Sequence, residues 1–295
     1  MIEQRSRLNR LMNMGNALLL GVIGFITLFP FLNVLATSLS SSRAIVSGEV
    51  FLFPVEWTVQ AFRNLIEDGQ LFVGMRNTIL ITLIGTGFNL FATVLAAYPL
   101  SRKRLRGRNG LLMVITFTMV FSSGIIPNFI LIKSLGLMNS YWALWLPGLI
   151  STYNMFVMKS FYEGLPEELE ESASIDGAND LVTLVRIVLP LSLPIVAALG
   201  LFYAVAWWNA YFNVMMYITS SSKLSLMMVL DQKINNVSEM LLSTGGGSEG
   251  AAVQNLTPEG IRAAAIVTAA IPILLVYPFL QKYFVKGVLI GSVKG

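Results

Sequence analysis

Residues 167–190 read EELEESASIDGANDLVTLVRIVLP, and carry six of the sixteen carboxylates in the whole chain. The stretch lies between two strongly apolar segments, a polar island that the rest of the molecule has to display. Pro166 suits the first position of a helix, where its missing N–H costs nothing. Glu167 and Glu168 then fall in the first turn, where the helix dipole favours carboxylates. Leu165, Leu169 and Ala173 recur every four residues and make one narrow apolar stripe. Gly177 can end the helix in the left-handed conformation. Asn179 or Asp180 can cap a second helix, to which Leu181, Leu184, Val185 and Val188 give an apolar face. Pro190 and Pro194 predict a bend beyond it. The reading is a short helix, a hinge and a second helix, with a small-residue stripe suited to a groove on another protein. The plain alternative is a solvated acidic loop.

The chain around this island is far from an ordinary soluble domain. Of 295 residues, 55% are hydrophobic and 12% charged, and the mean hydropathy is +0.70; soluble chains carry about 25% charged residues. A span needs about 20 apolar residues, and six segments reach that length: about Leu11 to Thr37, Asn77 to Leu100, Leu111 to Ile132, Trp142 to Phe161, the stretch after Pro190 through PIVAALGLFYAVAWWNAYFNVMMYI, and Ile261 to Leu280. None alternates as a barrel strand does, so the expectation is an all-α, polytopic membrane protein. With neither cysteine nor histidine, disulfides, thiolate metal sites and the usual general base are excluded.

Lys and Arg orient the spans. Arg5, Arg7 and Arg10 precede the first; SRKRLRGRNG after the second holds Arg102, Lys103, Arg104, Arg106 and Arg108; Lys282, Lys286 and Lys294 follow the sixth. With six spans all three places share one side, hence both termini and the acidic island are expected in the cytoplasm. The net charge of +4 is thereby a topology signal, with lipid and no nucleic acid as the partner. A cleavable signal peptide ending at VLA (Val34 to Ala36) is the rival for the N-terminus, but the apolar run exceeds the roughly 7–15 residues of a signal core. Two regions then face outside. In Ser38 to Met75, Thr58 can cap a short amphipathic helix with Val59, Phe62 and Ile66 on one face and Gly69 at its end. The region of about Thr219 to Gly260 is polar, with a STGGGSEG tip.

The island resembles the signature of binding-protein-dependent ABC importer permeases: Glu-Ala-Ala, three residues, Gly, nine residues, Ile-x-Leu-Pro. Here it reads Glu171, Ser172, Ala173, then Gly177, then Ile187, Val188, Leu189, Pro190. Ser172 departs from the pattern, a small residue in place of alanine. DGA at Asp176 to Ala178, LPLSLP at Leu189 to Pro194, WWNAYFNV in the fifth span and the ending KYFVKGVLIGSVKG are similar to the carbohydrate branch, the maltose-type second permease, and most nearly to its alginate or polysaccharide members. The resemblance implies a type I importer fold with a first helix and external segment over residues 1–73, a permease core over 74–282 with a coupling helix near 165–178, and a cytoplasmic tail over 283–295.

It also implies roles. Leu169, Glu171, Ser172, Ala173, Asp176, Gly177, Ile187, Leu189 and Pro190 would form the coupling element. Glu171 would pair with a basic residue of a separate ATPase, Ala173 would pack on that ATPase, and Gly177 would permit the turn. Ser292, Val293, Lys294 and Gly295 would be a tail reaching the ATPases. The chain has no G-x-x-x-x-G-K-[ST] phosphate loop, so it is read as a transport subunit, not an enzyme, binding no cofactor of its own, with ATP and Mg held by two copies of the ATPase. A second, related permease chain and an external solute-binding protein complete the expected assembly. Polar groups in spans are costly and mark solute paths. Asn209 and Asn213, four apart, with Trp208 and Phe212 beside them, suit the hydroxyls and apolar faces of sugars; Asn154 and Asn128 are further candidates. The rival functions are an ion-gradient-driven sugar transporter, which needs ionisable groups at mid-membrane, and a membrane scaffold that recruits a soluble partner.

Overall fold

The computed structural model describes the backbone of residues 7–121, 123–243 and 257–292, and side chains over 12–121, 123–240 and 257–276. Among these residues the chain is all-helical. It divides into two compact units, Met1–Leu71 with Leu230–Ile271, and Phe72–Val229 with Pro272–Gly295.

In chain order, α1 (Arg7–Ser38) is followed by α2 (Ser42–Val46) and α3 (Gln60–Ile66). The apolar stretch of α1 is open along most of its length, with burial confined to its end at Ala36 and Ser38, as befits a helix whose solvent is lipid. Ser41 caps α2, its Oγ accepting from the Ala44 N–H at 3.2 Å. In α3 Thr58 supplies the expected hydroxyl, accepting from the Gln60 N–H at 3.2 Å, and Gly69 turns the chain at φ +69°. The side chain of α3 that packs inward is Leu65; Val59 and Ile66 of the expected apolar face lie open. Within the same unit Lys233 pairs with Asp68 at 2.7 Å.

The second expected span is a single helix, α4 (Gln70–Ser101). The third is broken. Its two parts, α5 (Arg108–Val120) and α6 (Ile125–Ser134), meet at 110°, with Gly124 at φ +81° in the turn, a conformation that residues with a β-carbon avoid. The fourth is broken too, into α7 (Trp142–Trp145) and α8 (Thr152–Glu163). Pro147 and Gly148 fall in the gap, and proline cannot donate to a continuing ladder.

The acidic island forms α9 (Glu168–Ile175) and α10 (Asp180–Thr183), which runs on as a π turn, Leu184–Val188, and α11 (Leu189–Leu191). The π turn lies where Pro190 removes an N–H from the ladder, and the Leu189 N–H reaches back to the Leu184 carbonyl. The chain then bends by 82° into α12 (Leu193–Trp208). At the bend Ser192 is fully buried and donates its hydroxyl to the Val188 carbonyl at 2.6 Å. The predicted bend is therefore real, and it centres on Ser192 between the two prolines. α13 (Phe212–Tyr217), α14 (Leu226–Ser243) and α15 (Pro258–Ser292) complete the order.

Three described helices are long and apolar enough to cross a membrane, or five if each bent pair is one span. The segment of α7 and α8 is the expected span that does not qualify by length. In the second unit, packing concentrates in two clusters. One gathers Ile81, Leu144, Trp145, Tyr203, Trp207 and Val214. The other gathers Ala97, Tyr98, Met158, Tyr162, Val188 and Leu199, joining α4, α8, the π turn and α12. Burial from lipid brings little of the aqueous hydrophobic gain, so close packing and interhelical hydrogen bonds hold such clusters.

Candidate functional site

The helix at the heart of the signature closes as its residues dictate. Gly177 sits at φ +79°, the Ala178 N–H donates to the Ala173 carbonyl at 2.9 Å, and the Gly177 N–H donates to the Ser174 carbonyl at 3.1 Å. These two bonds are the Schellman closure, with Asp176 as the C-cap. Asn179 then opens α10, accepting from the Val182 N–H at 2.9 Å. A β-carbon at Gly177 meets nothing within 4 Å, so substitution there is a pure conformational penalty. Gly177→Ala should cost about 1 kcal/mol at this cap and slow transport severalfold, with a smaller change in the amount of protein in the membrane; uptake per inserted protein is the measurement.

The faces of α9 divide cleanly. Ala173 is 5% exposed and turned against its own chain. The outward face carries Glu171, Ser172, Ser174 and Ile175, the last 87% exposed. Leu169 is also exposed, while the Ser172 hydroxyl folds back onto the Glu168 carbonyl at 2.8 Å. Among the described residues Glu171 has no side-chain partner. Ile187 and Leu189 are half-buried and Pro190 exposed, on and just beyond the π turn. Ser292 ends α15; Val293, Lys294 and Gly295 lie outside the described residues.

The basic turn after α4, legible in the sequence only as a topology signal, is the counter-charge of the island. Arg102 pairs with Glu170, Lys103 with Glu167 at 3.6 Å, Arg104 with Asp180, and Arg108 with Glu163, which Lys159 also binds at 2.8 Å. A groove of about 730 Å³ runs between turn and helix, lined by Arg102, Arg104, Glu167, Glu171, Ser174 and Ile175 among others.

A second site is a pocket of about 400 Å³ lined by Asn89, Asn154, Trp207, Asn209, Phe212 and Asn213 among others. It brings together all but two of the expected solute-path residues, Trp208 and Asn128. Trp208 is buried away from it; its neighbour Trp207 is the ring at the pocket. The reason is a break in the fifth span. The helix stops at Trp208 and resumes at Phe212, so the fourfold helical spacing expected of Asn209 and Asn213 does not hold, and the unwound backbone supplies the concavity. Irregular backbone at such depth has to line a cavity or find internal partners. Here the Asn209 amide donates to the Val205 carbonyl at 2.8 Å, and the Ser225 hydroxyl to the Ala210 carbonyl at 2.9 Å. Asn128 is elsewhere, exposed on α6 and accepting from Ser123 at 3.0 Å.

Asn89, which sequence reading passed over, is the hub. It is 1% exposed. Its amide donates to the carbonyls of Gly148 and Leu149 at 2.5 and 2.8 Å, and its carbonyl oxygen accepts from the Trp207 indole at 2.5 Å. One α4 side chain thus ties the proline break to the ring at the pocket. Gly85, one turn earlier, lets that ring approach: a β-carbon there would come within 2.7 Å of it. The polar lining residues are amides and hydroxyls set among aromatic rings, chemistry suited to the hydroxyl groups and apolar faces of sugar rings.

Comparison with known proteins agrees across the chain. The family described as binding-protein-dependent transport system inner membrane component matches residues 73–290. Protein LplC of Bacillus subtilis is 43% identical over 98% of this chain and 97% of its own. The polygalacturonan/rhamnogalacturonan transport system permease protein YtcP of the same organism is 42% identical over 97% and 99%. A solved chain from a bacterial ABC transporter involved in import of the acidic polysaccharide alginate superposes with a TM-score of 0.80 and 32% identity, over 95% of this chain and 98% of that one. The chain belongs to the binding-protein-dependent transport system inner membrane components, the multi-pass permease subunits of ABC importers.

Proposed function

We propose that this chain is the permease subunit through which an ATP-driven importer moves oligosaccharides, with α9 as the element that couples it to the ATPase. The observation that carries the reading is a capped helix presenting a carboxylate, Glu171, with no side-chain partner among the described residues, beside a groove. Family membership implies an ATPase, a solute-binding protein and a second permease. The finer assignment is two ATPase copies holding ATP and Mg, a related but different second permease, six spans with both termini cytoplasmic, and a tail at Gly291 to Gly295 reaching the ATPases. Oligosaccharides derived from acidic polysaccharides are favoured as cargo, because relatives are named for polygalacturonan and alginate. The amide and aromatic pocket is assigned to the solute path.

The test is uptake of uronic-acid oligosaccharides into proteoliposomes holding the assembled complex and its binding protein. Uptake should require internal ATP and survive collapse of the ion gradients; uptake that follows an ion gradient without ATP would establish the secondary transporter instead. The chain lacks cysteine, so single cysteines at Ser174 and at Ser221 report sidedness cleanly. Only the first should react from the cytoplasmic face.

A further inference from the structure

We propose that Arg102 is a positioning residue that transmits movement of α9 into α4, an inference that rests on α9 being the coupling element. The covalent attachments of α9 are both turns, at Gly164 to Pro166 on one side and at Gly177 to Asn179 on the other. A rigid push needs a third attachment, and the ion pairs differ sharply in their capacity to be one. Arg104 holds Asp180 of α10, not α9, and Lys103 and Glu167 are 87% and 75% exposed; solvated pairs of that kind hold little. Arg102 and Glu170 are 12% and 19% exposed. Arg102 also lies over the Tyr98 ring at 4.8 Å, and the Tyr98 hydroxyl donates to the same Glu170 carboxylate at 3.3 Å. Since Tyr98 is part of α4, Glu170 is held to α4 from two directions at once.

The neighbouring pairs do a different job. Arg108 donates through Nε to the Leu100 carbonyl at 2.8 Å while pairing with Glu163, fixing the end of α4 to α8. Against that fixed frame, Arg102 is the buried link to the helix expected to move. The surroundings also hold unspent bonding capacity. Among the described residues Arg102 Nε, the Tyr162 hydroxyl and Arg102 Nη2, which meets Glu170 as an ionic contact outside hydrogen-bond geometry, are buried without hydrogen-bond partners, and Tyr162 stands edge-on to Tyr98 at 6.0 Å. Buried polar groups left over in one arrangement mark a place where a second arrangement can be reached at low cost.

The experiment uses the full complex in proteoliposomes, with uptake and ATP hydrolysis measured on the same preparation. Arg102→Gln should lower uptake per ATP hydrolysed about tenfold or more, Arg102→Lys should be intermediate, and the exchange Arg102→Glu with Glu170→Arg should recover at least about a third of the ratio. An unchanged ratio in Arg102→Gln overturns the proposal. So does loss of the ATPase from the purified complex that the exchange fails to restore, because Arg102 would then only shape the docking surface. Glu171→Lys, run alongside, separates the layers: if it transports normally, the coupling reading itself fails, whereas its failure to transport together with an unchanged Arg102→Gln ratio sinks only the Arg102 link.

Discussion

Glu171→Lys should abolish ATP-dependent uptake while leaving the chain inserted in the membrane. Folding should tolerate the change, because Glu171 is exposed and has no side-chain partner among the described residues; such surface substitutions usually stay within about 0.5 kcal/mol. A lysine there faces the helix N-terminal half, where a cation is disfavoured by about 0.3–1 kcal/mol. The main cost falls on the interface. Placing a cation where a carboxylate is expected to meet a basic residue exchanges an attraction for a repulsion, and like charges brought together cost several kcal/mol. About 2.7 kcal/mol already corresponds to a hundredfold loss. The expected result is uptake reduced at least about a hundredfold, ATPase copurification much weakened, and normal amounts of permease in the membrane fraction. Wild-type uptake with the ATPase retained would remove Glu171 from the coupling interface.

The legibility of this helix has a physical origin. Its stop and successor are set by Gly177 and Asn179, each acting through bonds to residues within five positions, and local chemistry is what a sequence displays; its first helical residue is Glu168, two beyond Pro166, with Glu167 as the N-cap. The apolar segments were legible only in bulk. Hydropathy averages across Pro147, Gly148 and Gly124 and reports a continuous span where the backbone is broken, because the broken and the helical residues are equally apolar. Helical phase misled at Trp208 for the same reason: once the ladder opens at Asn209 to Tyr211, counting by fours no longer predicts which ring faces the pocket. The ion pairs of the basic turn join residues 55 and 76 positions apart, a pairing that charge sign alone does not specify. A polar residue in the middle of the second span, within GTGFNLF, was the one available signal for Asn89. Its partners lie 59, 60 and 118 positions away, and only the fold brings them together.

Asn89→Leu is the substitution expected to damage the permease core most. Leucine has the same heavy-atom branching and suits a span, so insertion should proceed. What disappears is three hydrogen bonds at once: two to carbonyls in the proline break and one from the Trp207 indole. Interhelical bonds in membranes average about 0.6 kcal/mol each. Here, though, the groups left behind are carbonyls in irregular backbone with no ladder to fall back on, and buried orphans of that kind cost about 1–3 kcal/mol each. A total near 3 kcal/mol should lower the melting temperature of the solubilised protein by about 6–12 °C. Asn128→Leu removes the exposed contact with Ser123 and should shift it by about 2 °C or less. The two substitutions are chemically identical, so any difference between them measures the hub. If both melt alike, Asn89 is an ordinary span asparagine, and the link from α4 through the proline break to Trp207 has no energetic content. If Asn89→Leu alone melts early and also transports poorly, the residue that shapes the pocket lies on a helix from which no pocket residue was expected.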